Sequence, residues 1–125
     1  MASKGKPYRT VVFEGFEILV GRGEDDNDHL TFDVAEPNDL WLHVGGGTAG
    51  SHVIVRAKDD EAFPRSVIER AAALAAWYSK ARGAASVDVH YCAAKDVSKP
   101  RGAKAGLVEL ARWKSIKIKP VGVSE

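Results

Sequence analysis

The chain has 125 residues, 45% hydrophobic and 28% charged, a globular balance that excludes a disordered polymer and suffices for one domain with its own core. No apolar run approaches the ~20 residues of a membrane span, the start lacks the apolar stretch of a secretory signal, and the lone Cys92 has no disulfide or CxxC partner, which implies a reducing cytoplasm. The formal charge of +1 is unevenly spread: seven acids and no Lys or Arg lie between Glu24 and Asp39, whereas ten basic residues face three acids between Lys80 and Lys119, an asymmetry that attracts polyanions if it gathers on one face.

Residues 1–7 read as a flexible leader. The β-branched and aromatic runs 8–13 and 16–20, joined by Glu14-Gly15, predict a hairpin, which Gly21-Arg22-Gly23 then breaks. The acidic stretch 24–33 predicts a short helix or turn, its acids suited to the positive end of a helix dipole. After the punctuation Pro37-Asn38-Asp39, residues 40–44 predict a strand, 45–50 a glycine loop and 52–55 a further strand. A charged loop follows at 58–63. Val67, Ile68, Ala71, Leu74, Ala75 and Tyr78 recur at helical spacing and predict one long helix over 64–82, opened by Pro64 and stopped at Arg82-Gly83. Trp77 lies off its main stripe, as a rim residue or a stacking surface. Val87, Val89 and Tyr91 alternate with Asp88 and His90, the pattern of a half-buried strand. Residues 95–106 read as a basic loop, 107–108 as the start of a strand, and 115–119 as a last strand stopped by Pro120. Residues 121–125 read as a flexible tail. The expected architecture is a single α+β domain over 8–120, a mostly antiparallel β-sheet covered by one long α-helix.

Several short stretches follow one another in a specific order: Gly21-Arg22, Asn27-Asp28, Asp39-Leu40-Trp41-Leu42-His43, Gly50-Ser51-His52-Val53, Ala75-Ala76-Trp77-Tyr78-Ser79-Lys80-Ala81-Arg82, Val97-Ser98-Lys99 and Gly102-Ala103-Lys104. Together they resemble the NFACT-R family, the C-terminal RNA-binding domain of RqcH- and NEMF-type ribosome quality-control proteins, over about residues 11–120. The resemblance implies binding of rRNA or tRNA, and association with a ribosomal subunit, by a stand-alone form of the domain that is not by itself a full tail-adding rescue factor. The sequence departs from the family pattern at Gly23, Ala49 and Ala105, where Asn, Pro and Pro are expected. Each change makes its loop more flexible.

Four groups of residues are candidates for contact with RNA. In the loop 45–52, glycines let backbone amides approach phosphates, Thr48 and Ser51 add hydroxyls, and His43 and His52 stand at its two mouths. It lacks the spacing and the lysine of a P-loop. Lys80 and Arg82 close the long helix, where they suit its dipole or a phosphate; Ser79 and Lys80 are sequence neighbours and do not face each other as a hydrolase pair would. Lys95, Lys99, Arg101 and Lys104 crowd the basic loop. Arg22 stands beside Asn27 and Asp28, as an internal ion pair or a ligand contact. Asp39 and Trp41 read equally as structural groups. His43, His52, His90 and Asp39 have no HxxH or HExxH spacing, so no metal and no cofactor is expected. Exposed aromatics for base readout are not evident. Two alternatives remain open from the residues: an RNA-modifying enzyme with His43 and His52 as acid and base, and a docking domain for a ribosome-associated protein through Trp77.

Overall fold

In a computed structural model, which describes residues 8–59 and 61–123, the first two strands form the predicted hairpin. β1 (Tyr8–Phe13) and β2 (Phe16–Gly21) pair antiparallel, and both turn residues, Glu14 at φ 51° and Gly15 at φ 83°, take the left-handed conformation that a tight hairpin turn requires. The remaining strands are β3 (Leu40–Val44), β4 (Val53–Val55), β5 (Val87–Ala93), β6 (Val97–Ser98), β7 (Glu109–Leu110) and β8 (Lys114–Ile118). Six of them make one antiparallel sheet in the order β1-β2-β4-β3-β5-β8. β6 and β7 pair separately as a short ribbon. The leader 1–7 and residues 124–125 of the tail lie outside the described residues.

Strand alternation sends Ile18, Val20, Leu40, Leu42, Val44, Val53 and Val55 to one face of the sheet. There they bury against Val67, Ala71, Leu74 and Ala75 of helix α2 (Arg65–Trp77). The alanine tract lets the helix lie close to the sheet, as its small side chains suggest. The opposite residues, Leu19, Trp41, Ile54 and Cys92, form a second core with Leu30 and Val97. This face is covered by helix α1 (Glu24–His29), which runs into a π-helical turn (Leu30–Val34), and by the β6–β7 ribbon.

Three expectations change. The sheet is not covered by one long helix: α2 has 13 residues, and the short α1 lies on the other face. α2 ends at Trp77 rather than Arg82 because the next backbone groups are taken by the glycine loop. The Ser51 amide donates to the Tyr78 carbonyl at 2.9 Å and the Lys80 amide to Ala49 at 2.9 Å, an isolated antiparallel bridge centred on Gly50 and Ser79. The described part of the tail is docked. Arg70 donates to the carbonyls of Val121 and Gly122, and Val123 packs on the first core. Finally, the ribbon strand β6 falls inside the stretch read as a basic loop, and the strand read at 107–108 forms two residues later, at Glu109–Leu110.

Candidate nucleic-acid interface

The glycine loop leaves β3 at Gly45, whose amide donates to Asp88 at 2.9 Å. Gly46 and Gly47 have φ of 70° and 75° with open space where a Cβ would project, so they suit the turn because other side chains resist this conformation. The loop then locks down. Gly50 sits so close to the helix end that a Cβ would lie 2.6 Å from Ser79 Cβ. Asn27 of α1, only 4% exposed, reaches across: its Nδ2 donates to the Gly50 carbonyl at 3.3 Å and its Oδ1 accepts the His52 amide at 3.1 Å. The Ser51 hydroxyl donates to the Gly21 carbonyl at 2.6 Å. The loop is therefore a ridge, with a cleft on either side.

The first cleft, of about 440 Å³, is lined by Arg9, Arg22, Lys80 and Arg82 together with Ala49, Gly50 and Ser51. Glu24 is the one acid in this lining among the described residues. Arg9 lies over the Tyr78 ring at 4.9 Å. Arg82 lies over the Trp77 ring at 4.5 Å and donates from Nε to the Trp77 carbonyl at 2.9 Å. Such stacking fixes a guanidinium while leaving other donors of its fork free. Arg22 and Lys80 are exposed and make no ion pair among the described residues. The internal ion pair considered for Arg22 is thus absent there. Asp28 pairs with Lys99 instead, at 3.0 Å, and accepts the Gly106 amide at 3.1 Å.

The second cleft, of about 600 Å³, has Trp41, His43, His90 and Trp113 along one side, Gly45 to Gly47 as one wall and residues 106–111 as the other. His43 and His90 face each other across β3 and β5. His52 also borders it, but it is only 1% exposed, so direct contact with RNA, expected from the sequence, is not available to it. The Trp41 indole, which can only donate, points at the Thr31 hydroxyl at 3.2 Å and at His52 Nδ1 at 3.4 Å, so Nδ1 is an acceptor and takes the Thr31 hydroxyl at 2.8 Å. The proton of this neutral imidazole then sits on Nε2. Burial, and next the neighbouring His43, lowers the His52 pKa to about 3. Burial is also the main reason that His43 is lowered. Two imidazoles that both stay neutral, one sealed from solvent, are poorly placed to exchange protons as an acid and a base.

The cations of the basic loop separate. Lys99 turns inward, donating to the carbonyls of Lys104 and Leu107 as well as pairing with Asp28, so it is a brace for the loop rather than a free contact. Arg101 and Lys104 are exposed on the loop that meets α1 through Gly106. Lys95 lies at the other end of the sheet, its amide bonded to Pro37 near the start of β3; the glycine ridge leaves the far end of that strand. Thr48, half-buried on the ridge, donates its amide to Gly45 at 3.4 Å. Asp39 accepts the amides of Glu36 and Ala57 and pairs with Arg56 at 3.3 Å, the structural role considered for it. Two residues escaped the sequence reading. Arg9 lies on the α2 face of β1, in step with Val11 and Phe13 but exposed at the strand's start, and Trp113 stands between Arg112 and Lys114, an aromatic flanked by cations ahead of a strand.

A small α+β module, with a cationic cleft and an aromatic cleft on either side of a glycine ridge, is the class that fold and site define. No helix among the described residues is long and apolar enough to cross a membrane. Residues 6–110 match the NFACT protein RNA binding domain, and the chain belongs to that family, as its ordered motifs imply. It is 39% identical over 110 residues to the Rqc2 homolog RqcH of Bacillus subtilis (strain 168), covering 84% of this chain and 19% of that protein. It is 38% identical over 117 residues to the Rqc2 homolog RqcH of Streptococcus suis (strain 05ZYH33), covering 92% and 20%. The solved C-terminal part of the fibronectin/fibrinogen-binding protein from Streptococcus suis matches with a TM-score of 0.84 and 37% identity, covering 95% of this chain and 47% of that one. The chain thus spans about a fifth of the length of the RqcH relatives.

Proposed function

We propose that this chain binds structured RNA, rRNA or tRNA, in the setting of ribosome-associated quality control in the cytoplasm, and that it grips the phosphate backbone in the cationic cleft. The observation that carries this reading is the meeting of Arg22, Lys80 and Arg82, from separate segments, beside Gly50 and Ser51. Guanidinium forks match phosphate oxygens, and a lysine adds a point charge without orientation. Arg101 and Lys104, exposed on the neighbouring loop, strengthen the attraction at longer range. The family's RNA-binding description and the RqcH relatives support the same partner class and setting.

The alternatives have less support. An enzyme using His43 and His52 needs a proton carrier where His52 is sealed and bonded to Thr31. Docking through Trp77 needs a bare indole, but Arg82 lies over that ring and Gly122 packs against it.

The test is binding of tRNA and of isolated ribosomal subunits to the full chain at about 50 mM and about 200 mM monovalent salt. Four phosphate contacts, one for each cation of the cleft, predict roughly a 100-fold loss of affinity between those concentrations. Absence of binding at the lower salt, or an affinity that salt leaves unchanged, contradicts the proposal.

A further inference from the structure

The aromatic cleft takes no part in the phosphate grip, and its chemistry differs. Trp113 is 51% exposed and Leu107 is 49% exposed, and both line this cleft. Large apolar side chains left in water around one cleft mark a contact surface more often than isolated ones do. The Trp113 ring lies 5.7 Å from that of His90, tilted by 36°. His90 in turn is held against the backbone of Gly45, where a Cβ would come within 2.6 Å of its Nε2. The indole thus stands on a fixed imidazole.

The surrounding charges identify the occupant. Arg112 and Lys114 flank Trp113 in sequence and are exposed; they line a separate cavity beside the indole, where Arg112 lies 3.9 Å from Asp96. Arg101 and Lys104 are exposed on the loop that leads to Leu107. No Lys or Arg lines the cleft itself among the described residues, and Glu109 is the one acid there, so the cations stand at its margin. An apolar peptide would use the indole and Leu107 but has no need of cations beside the indole and along the adjoining loop. A nucleotide uses both, because its base offers a π-face and its phosphates take the cations.

We infer that Trp113, backed by His90, is a stacking platform for one unpaired nucleobase. The inference rests on the RNA-binding function proposed above: the same strand lies in the cationic cleft and crosses the ridge at Gly46 and Gly47. Those glycines present no Cβ to the sugar-phosphate chain, and the open space over them lets it pass closely. The volume of about 600 Å³ falls within the roughly 300–1,000 Å³ of small-molecule sites.

The experiment measures binding of the full chain to two RNAs with equal numbers of phosphates. One is a hairpin whose loop holds unpaired adenines, and the other is a blunt, fully paired duplex. The wild-type chain binds the hairpin more tightly. Trp113→Ala weakens hairpin binding by roughly 5- to 150-fold, the range of one base stack. Its duplex affinity, salt dependence and melting temperature stay unchanged, and Trp113→Phe keeps most of the hairpin affinity. Equal wild-type affinity for the two RNAs overturns the inference, and so does an equal loss on both with Trp113→Ala. A leucine-rich apolar peptide that binds the wild-type chain but not Trp113→Ala, while hairpin affinity is untouched, assigns the cleft to protein instead. If the wild-type chain binds neither RNA, the phosphate-grip reading falls as well; if it binds both equally, only the stacking platform falls.

Discussion

Replacing Asn27 by alanine removes the one side chain that ties α1 to both ends of the locked segment of the ridge. Its amide bonds the Gly50 carbonyl at 3.3 Å and the His52 amide at 3.1 Å, and the residue is nearly fully buried. The substitution strands the buried His52 amide, at about 1–3 kcal/mol, and takes from the Gly50 carbonyl, which His43 also bonds, one hydrogen bond worth about 1 kcal/mol. Together these predict a loss of about 2–4 kcal/mol, the lower end if a water enters the vacated space. For a domain of this size each kcal/mol lowers the melting temperature by roughly 3–5 °C, which predicts a drop of about 6–20 °C. Circular dichroism during thermal unfolding reads the stability, and hydrogen exchange reads the site: the His52 amide exchanges faster than in the wild-type chain. A melting temperature within about 2 °C of wild type, with His52 as protected as before, refutes the claim that Asn27 holds the ridge.

His52 carries a folded pKa near 3 against about 6.5 when unfolded, so below pH 6.5 the unfolded chain binds more protons. Stability therefore falls with pH between about 6.5 and 3, with a slope approaching about 1.4 kcal/mol per pH unit from this residue; His52→Gln flattens the curve, and parallel curves for the two proteins contradict the assignment. Gly50→Ala drives a methyl group into Ser79 and costs about 1–3 kcal/mol by overpacking, seen as a lowered denaturant midpoint; an unchanged midpoint shows that the bridge between loop and helix end is loose. Asp28→Ala frees Lys99 and the Gly106 amide, so amide exchange across residues 99–107 accelerates while β3 and β5 stay protected.

Local patterns carried the strands well. Glu14-Gly15 marked the hairpin turn, and the alternation through Val87, Val89 and Tyr91 marked β5, because both signals depend only on neighbours along the chain. The helix end was not legible in the same way. Residues 78–82 continue a helical pattern, yet their backbone is claimed by Ala49 and Ser51, a partner that helical periodicity cannot reveal. Lys99 looked like one of four equivalent loop cations, and only the folded chain sets it against Asp28. His52 looked symmetric with His43 about the glycine loop. It is instead roofed by Thr31 and Trp41, since α1 and its π-helical turn cover that part of the sheet. The cover does not extend over Trp113, so that indole remains exposed. Exposure depends on which part of a sheet face the other layer reaches, and no spacing rule encodes that.

The central claim is that Arg22 and Lys80 each neutralise a phosphate of bound RNA. Titrating tRNA binding against salt, for the wild-type chain and for Arg22→Ala/Lys80→Ala, measures this directly as the slope of log affinity against log salt. The account predicts that the double substitution makes the slope shallower by about 1.4–1.8, or 0.7–0.9 for each lost contact, with an unchanged melting temperature. A slope equal to that of the wild-type chain contradicts it, because the cations of this cleft would then touch no phosphate.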